Sequence, residues 1–372
     1  MPTKSRIKNV EPEYFSGGDP FNAILIKRFG LDKFLSTAII VRILTTPIYI
    51  SAIINDVLQS TSTRIGLLDD FVWWIYQLLF IPATFLFFLW MPEGIREIIT
   101  KLKENNVLTN KGTPKPLSEF MREFDKYFSH RIWSWIYTIL AGIFVPLVAI
   151  PVHKTFQTWE TSSTFIFYYT IFFWVIFTYV VLLLATRIIL TIIWFNKLFK
   201  NYRVDVRVLH PDGAGGLSPL GSFSVKVGYL IGIYGLSVVA TSYYGASITE
   251  TPLTDPLLGP VLILLILVYL MSSPIIFFAP IGTAHASMLL AKNELITQIS
   301  DQFEIETQKI PLALKANDDT LKRILAKIEE LRQLHKIAVD FPVWPFNTAN
   351  IIRFFSSILS PFALWILPII ID

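Results

Sequence analysis

The chain has 372 residues, of which 53% are hydrophobic and only 16% are charged, and its mean hydropathy is +0.54. A water-soluble domain needs more charge to cover its surface, so this composition argues against a soluble protein. The net charge of +4 comes from 32 basic and 28 acidic residues, which is not the concentrated basic face of a nucleic-acid-binding protein. The chain has no cysteine, which excludes disulfides, thiolate metal sites and cysteine nucleophiles.

Apolar stretches of about 20 residues recur along the chain, and a helix of that length crosses a hydrocarbon layer roughly 30 Å thick. They predict an all-α, polytopic helical membrane protein with six or seven transmembrane helices and a cytoplasmic helical hairpin. The last stretch is the weakest, because it contains Arg353 and two prolines, and a re-entrant or interfacial segment is the alternative. The seven predicted spans are 34–54, 71–90, 132–151, 164–185, 226–244, 257–279 and 351–371.

Lys and Arg counts outside these spans predict the orientation. With Arg187 counted as part of the edge of the fourth span, the segments before and between the spans contain 6, 1, 8, 1, 4, 0 and 8 basic residues in chain order, an alternation without exception. Because basic segments stay in the cytoplasm, we expect a cytoplasmic N-terminus in the cell membrane, which is the inner membrane if the host has two. No span contains Asp or Glu, which argues against proton-driven transport.

The predicted organisation has four parts. The parts are a cytoplasmic segment at 1–33, a bundle of six spans at 34–279 with a cytoplasmic loop at 203–225, a cytoplasmic amphipathic region at 280–350, and a transmembrane or re-entrant helix at 351–372. In the first part, Asp19 and Pro20 favour the start of a helix that lies at the membrane surface or extends the first span.

The cytoplasmic region 280–350 has apolar residues at helical spacing on both sides of Pro311. Such a stripe requires a partner surface. An intramolecular hairpin of two antiparallel helices would supply one, and so would the same helix of another subunit in a homo-oligomer. The stripe positions are Leu289, Leu295, Ile299 and Phe303 in the first helix and Leu321, Ile324, Ile328, Leu331 and Leu334 in the second.

The most distinctive polar stretch is the loop HPDGAGG at 210–216, just before the fifth span. Gly213, Gly215 and Gly216 permit positive φ values and close backbone approach. Asp212 can accept hydrogen bonds from the amides that follow it, and His210 can titrate near neutral pH. Either the loop is a tight, capped turn that leads into the fifth helix, or its amides and His210 bind an anion or gate a pathway.

Two segments, LHPDGAGGLSPLG at 209–221 and FPVWPFNTANIIRFF at 341–355, carry a resemblance to a family. With the amphipathic region between them, they resemble a family of uncharacterised bacterial multi-pass membrane proteins that has an HPD-x-x-GGL cytoplasmic motif and a C-terminal PVWPFNT-type segment. The resemblance covers about residues 203–361 and implies a helical membrane fold, but it transfers no catalytic residue. The family often has a basic residue after HPD, where this chain has Gly213.

Three further features lie inside or beside the spans. Gly228, Gly232 and Gly235 of the fifth span favour close helix packing, and the alternative is that they line a water-filled path. Arg42 lies about 12 Å into the first span and faces either the inner interface or an interior polar site, because an unpaired intramembrane arginine is costly. The fourth apolar stretch continues beyond its span, and we expect this tail, residues 187–200, to emerge along the inner surface.

No pattern of residues indicates an enzyme. The five histidines are scattered without metal-ligand spacing, and no serine lies in a nucleophile-elbow pattern. The loop at 210–216 matches neither a phosphate-binding loop nor a dinucleotide-binding fingerprint. We therefore predict no catalytic, cofactor-binding or metal-binding residue. An intramembrane enzyme is a third alternative, and its acid–base groups would be His210 and Asp212.

Two functional hypotheses follow. The first is an ion channel or solute-permeating protein, because prolines can bend the spans and the fifth helix is rich in small residues. The alternative is a membrane-anchored sensor or scaffold that recruits a cytoplasmic protein partner through residues 280–350. In both cases the lipid bilayer is a direct partner and nucleic acid is not.

Overall fold

The computed structural model describes residues 29–346, except positions 63, 110–115, 156–157, 209, 249–257 and 317. Beyond 346 it describes five residues, which are Ile352, Arg353, Phe355, Ser356 and Leu359. The predicted N-terminal surface helix and nearly all of the seventh predicted span lie outside these residues.

The described part of the chain is dominated by ten α-helices. A π-helix, Tyr76–Phe80, joins α2 to α3, and a 3-10 turn, Trp159–Thr161, precedes α6. Two-residue strands β1 (Leu108–Thr109) and β2 (Arg203–Val204) pair antiparallel, with Leu108 opposite Val204. The helices are α1 Lys33–Ile54, α2 Phe71–Ile75, α3 Ile81–Glu104, α4 Leu117–Phe128, α5 Arg131–Thr155, α6 Thr164–Asn201, α7 Ser218–Ile248, α8 Leu258–Gln308, α9 Ile310–Ala316 and α10 Asp318–Asp340.

Six helical stretches in the described residues are long and apolar enough to cross a membrane, which confirms the all-α membrane fold. They correspond to the first six predicted spans. The longest, α8, has 51 residues and is about 75 Å long at 1.5 Å per residue, more than twice the thickness of a hydrocarbon layer. A large part of α8 therefore extends beyond the membrane.

The connections gather at two ends of the bundle. We call the end formed by residues 105–109, 203–208, 210–217 and 341–346 the motif face. We call the end formed by residues 55–62, 64–70 and 158–163 the opposite face. At the motif face, the side-chain amide of Asn105 donates a hydrogen bond of 2.8 Å to the carbonyl of Gly216. At the opposite face, the indole of Trp159 donates one of 2.9 Å to Asp70. These contacts join segments that are far apart in the sequence.

The bundle core is built around α3, which packs against α1, α6 and α7. Phe85, Phe88 and Leu89 of α3 are almost completely buried. By contrast, α5 packs along α6 and leaves large apolar side chains exposed, with Trp135 66% and Leu147 68% accessible. Exposed apolar side chains of this size suit a helix surrounded by lipid.

The tail of the fourth span lies in the core. α6 is one continuous helix of 38 residues, and Trp194, Phe195 and Leu198 in its last turns are buried. The amphipathic helix α4 covers them, and the ring of Phe124 stacks on Trp194 with 5.2 Å between ring centroids. The prediction that residues 187–200 emerge along the surface is therefore wrong, because hydropathy did not reveal which helix would cover the tail.

The predicted helical hairpin is confirmed within one chain. α10 packs back along α8, and Ile299 of α8 forms a buried cluster with Leu331 and Ala338 of α10. Three predicted stripe positions, Leu289, Phe303 and Leu334, are exposed. The contact face drifts around each helix over several turns, so the small side chain of Ala338 continues the stripe in place of Leu334.

Candidate functional site

The loop at 210–216 is organised around the carboxylate of Asp212. Its Oδ1 accepts hydrogen bonds from the amides of Ala214 and Gly216, both at 2.9 Å, and its Oδ2 accepts one from the amide of Ser218 at 3.2 Å. Ser218 is the first residue of α7, so the carboxylate closes the turn and caps the following helix. This geometry is that of the capped turn considered from the sequence.

His210 completes this arrangement. Its Nδ1 lies 2.8 Å from Oδ1 of Asp212, and both side chains are mostly buried. Burial acts to raise the pKa of Asp212, but the hydrogen bonds from Gly216, Ala214 and His210 outweigh it, so this pKa lies below its ordinary value of 3.8. The carboxylate is therefore charged at neutral pH and held by the loop itself.

The glycines of the loop adopt backbone conformations that other residues avoid. Gly213, Gly215 and Gly216 have φ values of +64°, +66° and +90°. A Cβ at Gly216 would overlap a methyl group of Val107, which follows α3, whereas a Cβ at Gly213 would meet no atom within 4 Å. Gly216 therefore allows the loop to lie directly against the segment after α3, while Gly213 serves the turn alone.

The segment FPVWPF at 341–346 folds back onto this loop. The ring of Trp344 stacks on His285 of α8 with 4.0 Å between centroids and 14° between planes. Nδ1 of His285 lies 2.7 Å from the carbonyl oxygen of Val343, and the ammonium of Lys292 donates a hydrogen bond of 3.0 Å to the carbonyl of Phe341. We call the assembly of residues 210–221, 285–292 and 341–346 the motif junction. The two segments that carry the family resemblance thus meet in space.

The glycines of the fifth span lie on buried positions of α7. Gly228, Gly232 and Gly235 are all buried. A Cβ at Gly235 would come 2.6 Å from Cζ of Tyr269 in α8, which is much closer than two carbon atoms normally approach. The absent side chain therefore allows α7 and α8 to pack closely at this level.

A group of partly or fully buried polar side chains in the bundle, which we call the polar row, was not found from the sequence. The hydroxyls of Tyr76 and Thr241 lie 2.6 Å apart, and the side-chain amide of Gln77 donates a hydrogen bond of 3.2 Å to Thr45. Tyr76 and Gln77 begin the π-helix, an irregularity that often occurs at functional sites. The available signal was Gln77, the one side-chain amide in the apolar stretch 71–90.

Two cavities lie beside this row. The opposite-face cavity, of about 330 Å³, is lined by Tyr76 and Thr241 and reaches Asp70 and Glu160. The α1–α3 groove, of about 600 Å³, is lined by Gln77 and by residues of α1. Tyr76 lines one cavity and the adjacent Gln77 lines the other.

Asp70 is the acidic group at the opposite-face cavity. Its carboxylate accepts hydrogen bonds of 2.9 Å from the amide of Trp73 and from the indole of Trp159. Burial raises the pKa of this carboxyl, although both hydrogen bonds act in the other direction. Asp70 thus anchors Trp159 and caps α2 at the edge of the predicted membrane region.

Arg42 lies on the exposed side of α1 and lines the α1–α3 groove. Among the described residues, no hydrogen bond or ion pair to its guanidinium is found. The structure therefore places Arg42 at a groove on the bundle surface, apart from the motif junction and from the glycines of α7.

Among the residues that the structure describes, no group of three or more His, Cys, Asp or Glu side chains could hold a metal ion. No protein-family model matches the chain, and no curated protein or solved structure is significantly similar to it.

Proposed function

We propose that the protein lets ions or small polar solutes cross the membrane, and that Tyr76 and Gln77 form the partition that closes its pathway. The observation that carries this proposal is the polar row between two cavities. Polar groups inside a membrane protein are costly and commonly mark substrate and ion pathways. A π-helix at the same position supports a local structure kept for function rather than for packing.

The first prediction concerns the hydrogen bond between Tyr76 and Thr241. Tyr76→Phe removes one hydroxyl without changing the ring, so we expect the partition to open more readily and flux to rise about fivefold, for a net hydrogen bond of ~1 kcal/mol. Purified protein in liposomes would be assayed for K⁺, Cl⁻ and glycerol flux. Tyr168→Phe is the matched control, because Tyr168 is exposed on α6 and lines neither cavity. Liposomes that stay tight to all three solutes, for the wild type and for Tyr76→Phe, would refute the proposal.

We also propose that the protein lies in the cell membrane with the motif face in the cytoplasm. The alternation of basic residues between spans supports this orientation. Because the chain has no cysteine, a single introduced thiol is a unique label. Ser62 and Ser300 are both exposed, and they lie near the opposite face and in the α8–α10 hairpin. We expect a membrane-impermeant maleimide to label Ser62→Cys in intact cells and Ser300→Cys only after permeabilisation. Equal labelling of both variants in intact cells would contradict this orientation.

A second candidate function is a membrane-anchored scaffold, and a specific observation favours it. Leu290, Leu312 and Leu314, in and beside the α8–α10 hairpin, are 70%, 74% and 66% exposed. Apolar side chains exposed to water mark surfaces that bind another protein or a second copy of the chain. In this case the hairpin would be the functional part, and Tyr76→Phe would leave the solute flux across liposomes unchanged.

A further inference from the structure

The α1–α3 groove has the dimensions and the charge of a site for an amphiphile. It extends along the bundle from Phe34 and Leu86 near the motif face to Tyr49 and Trp74 near the opposite face. The 15 residues from Phe34 to Tyr49 correspond to about 22 Å of helix, which is comparable to the length of one acyl chain. Leu78 and Leu79 line the groove and are exposed at its surface, so it opens sideways toward lipid.

Arg42 introduces a positive charge into this apolar groove. It lies nine residues after Lys33, the first residue of α1, or about 14 Å along the helix. Helical side chains lean toward the helix N-terminus, so the guanidinium is directed toward the motif face. A cation at this depth is costly unless it is paired. The described residues that line the groove include no carboxylate, so a bound anionic molecule can supply the counter-charge.

Two buried polar atoms beside the groove also lack partners. Thr37 and Gln77 both line the groove and are each 6% exposed, and neither Oγ1 of Thr37 nor Oε1 of Gln77 has a hydrogen-bond partner. The orientation of the Gln77 amide is determined by Thr45. The Thr45 hydroxyl donates to the carbonyl of Val41, so it can only accept from Gln77, and the Gln77 nitrogen must face it. The oxygen of Gln77 is therefore left without a donor.

We propose that the α1–α3 groove binds an amphiphile with an anionic oxygen headgroup, whose headgroup pairs with Arg42 and Thr37 and whose acyl chain lies along Leu78 and Leu79. The guanidinium forms strong charge-assisted hydrogen bonds with phosphate or carboxylate oxygens. The apolar wall of the groove contacts the acyl chain in place of the neighbouring lipid tails. A phospholipid and a fatty acid share this chemistry.

A second copy of the protein is a poorer occupant of the groove. None of the seven predicted spans contains Asp or Glu, so the membrane-embedded surface of another copy offers no carboxylate at the depth of Arg42. The proposed lipid site and the proposed pathway share the α1–α3 groove. The lipid site is tested by lipid binding alone and permeation by liposome flux, so the failure of one proposal is distinguishable from the failure of the other.

Native mass spectrometry of the full-length protein in nonionic detergent would test the proposal. The probes are phosphatidylglycerol, oleate and, as the uncharged reference, phosphatidylcholine. We expect the wild type to prefer an anionic probe and Arg42→Gln to weaken its binding about tenfold, the loss expected for one charge-assisted hydrogen bond. Thr37→Val should weaken it about threefold, since it removes one neutral hydrogen bond. Arg122→Gln is the matched control, because Arg122 is exposed on α4 outside the groove.

The outcomes separate the sources of the headgroup. Tighter binding of phosphatidylglycerol than of oleate would support a phospholipid phosphate, and the reverse would support a fatty-acid carboxylate. Arg42→Lys keeps the charge and should retain most of the affinity. This result would mean that a loss of affinity in Arg42→Gln comes from the lost charge. The proposal is overturned if phosphatidylcholine binds as tightly as both anionic probes, if Arg122→Gln loses as much affinity as Arg42→Gln, or if Arg42→Gln changes the oligomeric mass without changing lipid binding.

Discussion

Gly221→Ala is expected to lower the free energy of unfolding by about 3 kcal/mol or more, a loss characteristic of overpacking at a buried contact. Gly221 lies in the first turn of α7, against the segment 341–346. A Cβ there would overlap the carbonyl oxygen of Pro345 and come 2.9 Å from its carbonyl carbon. These are backbone atoms, so a rotamer change cannot relieve the clash and the segment has to move away from α7. Thermal unfolding of the purified protein, followed by tryptophan fluorescence, measures the loss.

Gly282→Ala is the matched control for this substitution. Gly282 lies in α8, on the same side of the molecule, and a Cβ there would meet no atom within 4 Å. Alanine favours the helical conformation over glycine by up to ~1 kcal/mol, so this variant should be neutral or slightly more stable. Opposite signs for the two substitutions would attribute the effect to the contact with Pro345. Equal losses would mean that close packing at the motif junction is not what Gly221 provides.

Features that depend on local pattern were predictable from the sequence. The six confirmed spans follow from apolar length, because a stretch such as 164–185 has no charged residue and can be stable as a lipid-embedded helix. The hairpin follows from helical spacing, and Ile324 and Leu331 are buried as their periodicity predicts. The loop at 210–216 was also identified as one unit, since a turn is built from residues that are neighbours in the chain.

Features that depend on contacts between distant segments were not predictable. The π-helix changes the direction of Tyr76 and Gln77 relative to a regular helix, and spacing rules that assume 3.6 residues per turn do not detect it. Arg187 is a second example. It is buried, its guanidinium lies 4.2 Å from the ring centroid of Phe88, and it donates a hydrogen bond of 3.3 Å to the Phe88 carbonyl. A single sequence does not reveal such partners.

Asp212→Ala is expected to lower the free energy of unfolding by about 2–3 kcal/mol. The substitution leaves the amides of Ala214, Gly216 and Ser218 without their acceptor, and each lost hydrogen bond is worth ~1 kcal/mol. Asp212→Asn keeps one acceptor oxygen and should lose about half as much. Asp301→Ala is the control, because Asp301 is an exposed carboxylate of α8 and exposed substitutions usually change stability by less than about 0.5 kcal/mol.

The pH dependence of these variants distinguishes the charged carboxylate from a simple packing role. The pKa of Asp212 lies below 3.8 in the folded protein, so the unfolded chain binds the proton more readily and folding favours the charged form. This contribution to stability is fully present above about pH 4 and is lost as the pH falls through the lowered pKa. The difference in thermal midpoint between the wild type and Asp212→Asn should therefore be constant from pH 7 to about 5 and should shrink toward pH 3. A difference that does not depend on pH would mean that the charge of Asp212 does not hold the loop, and that the side chain acts through its shape and its acceptor oxygens.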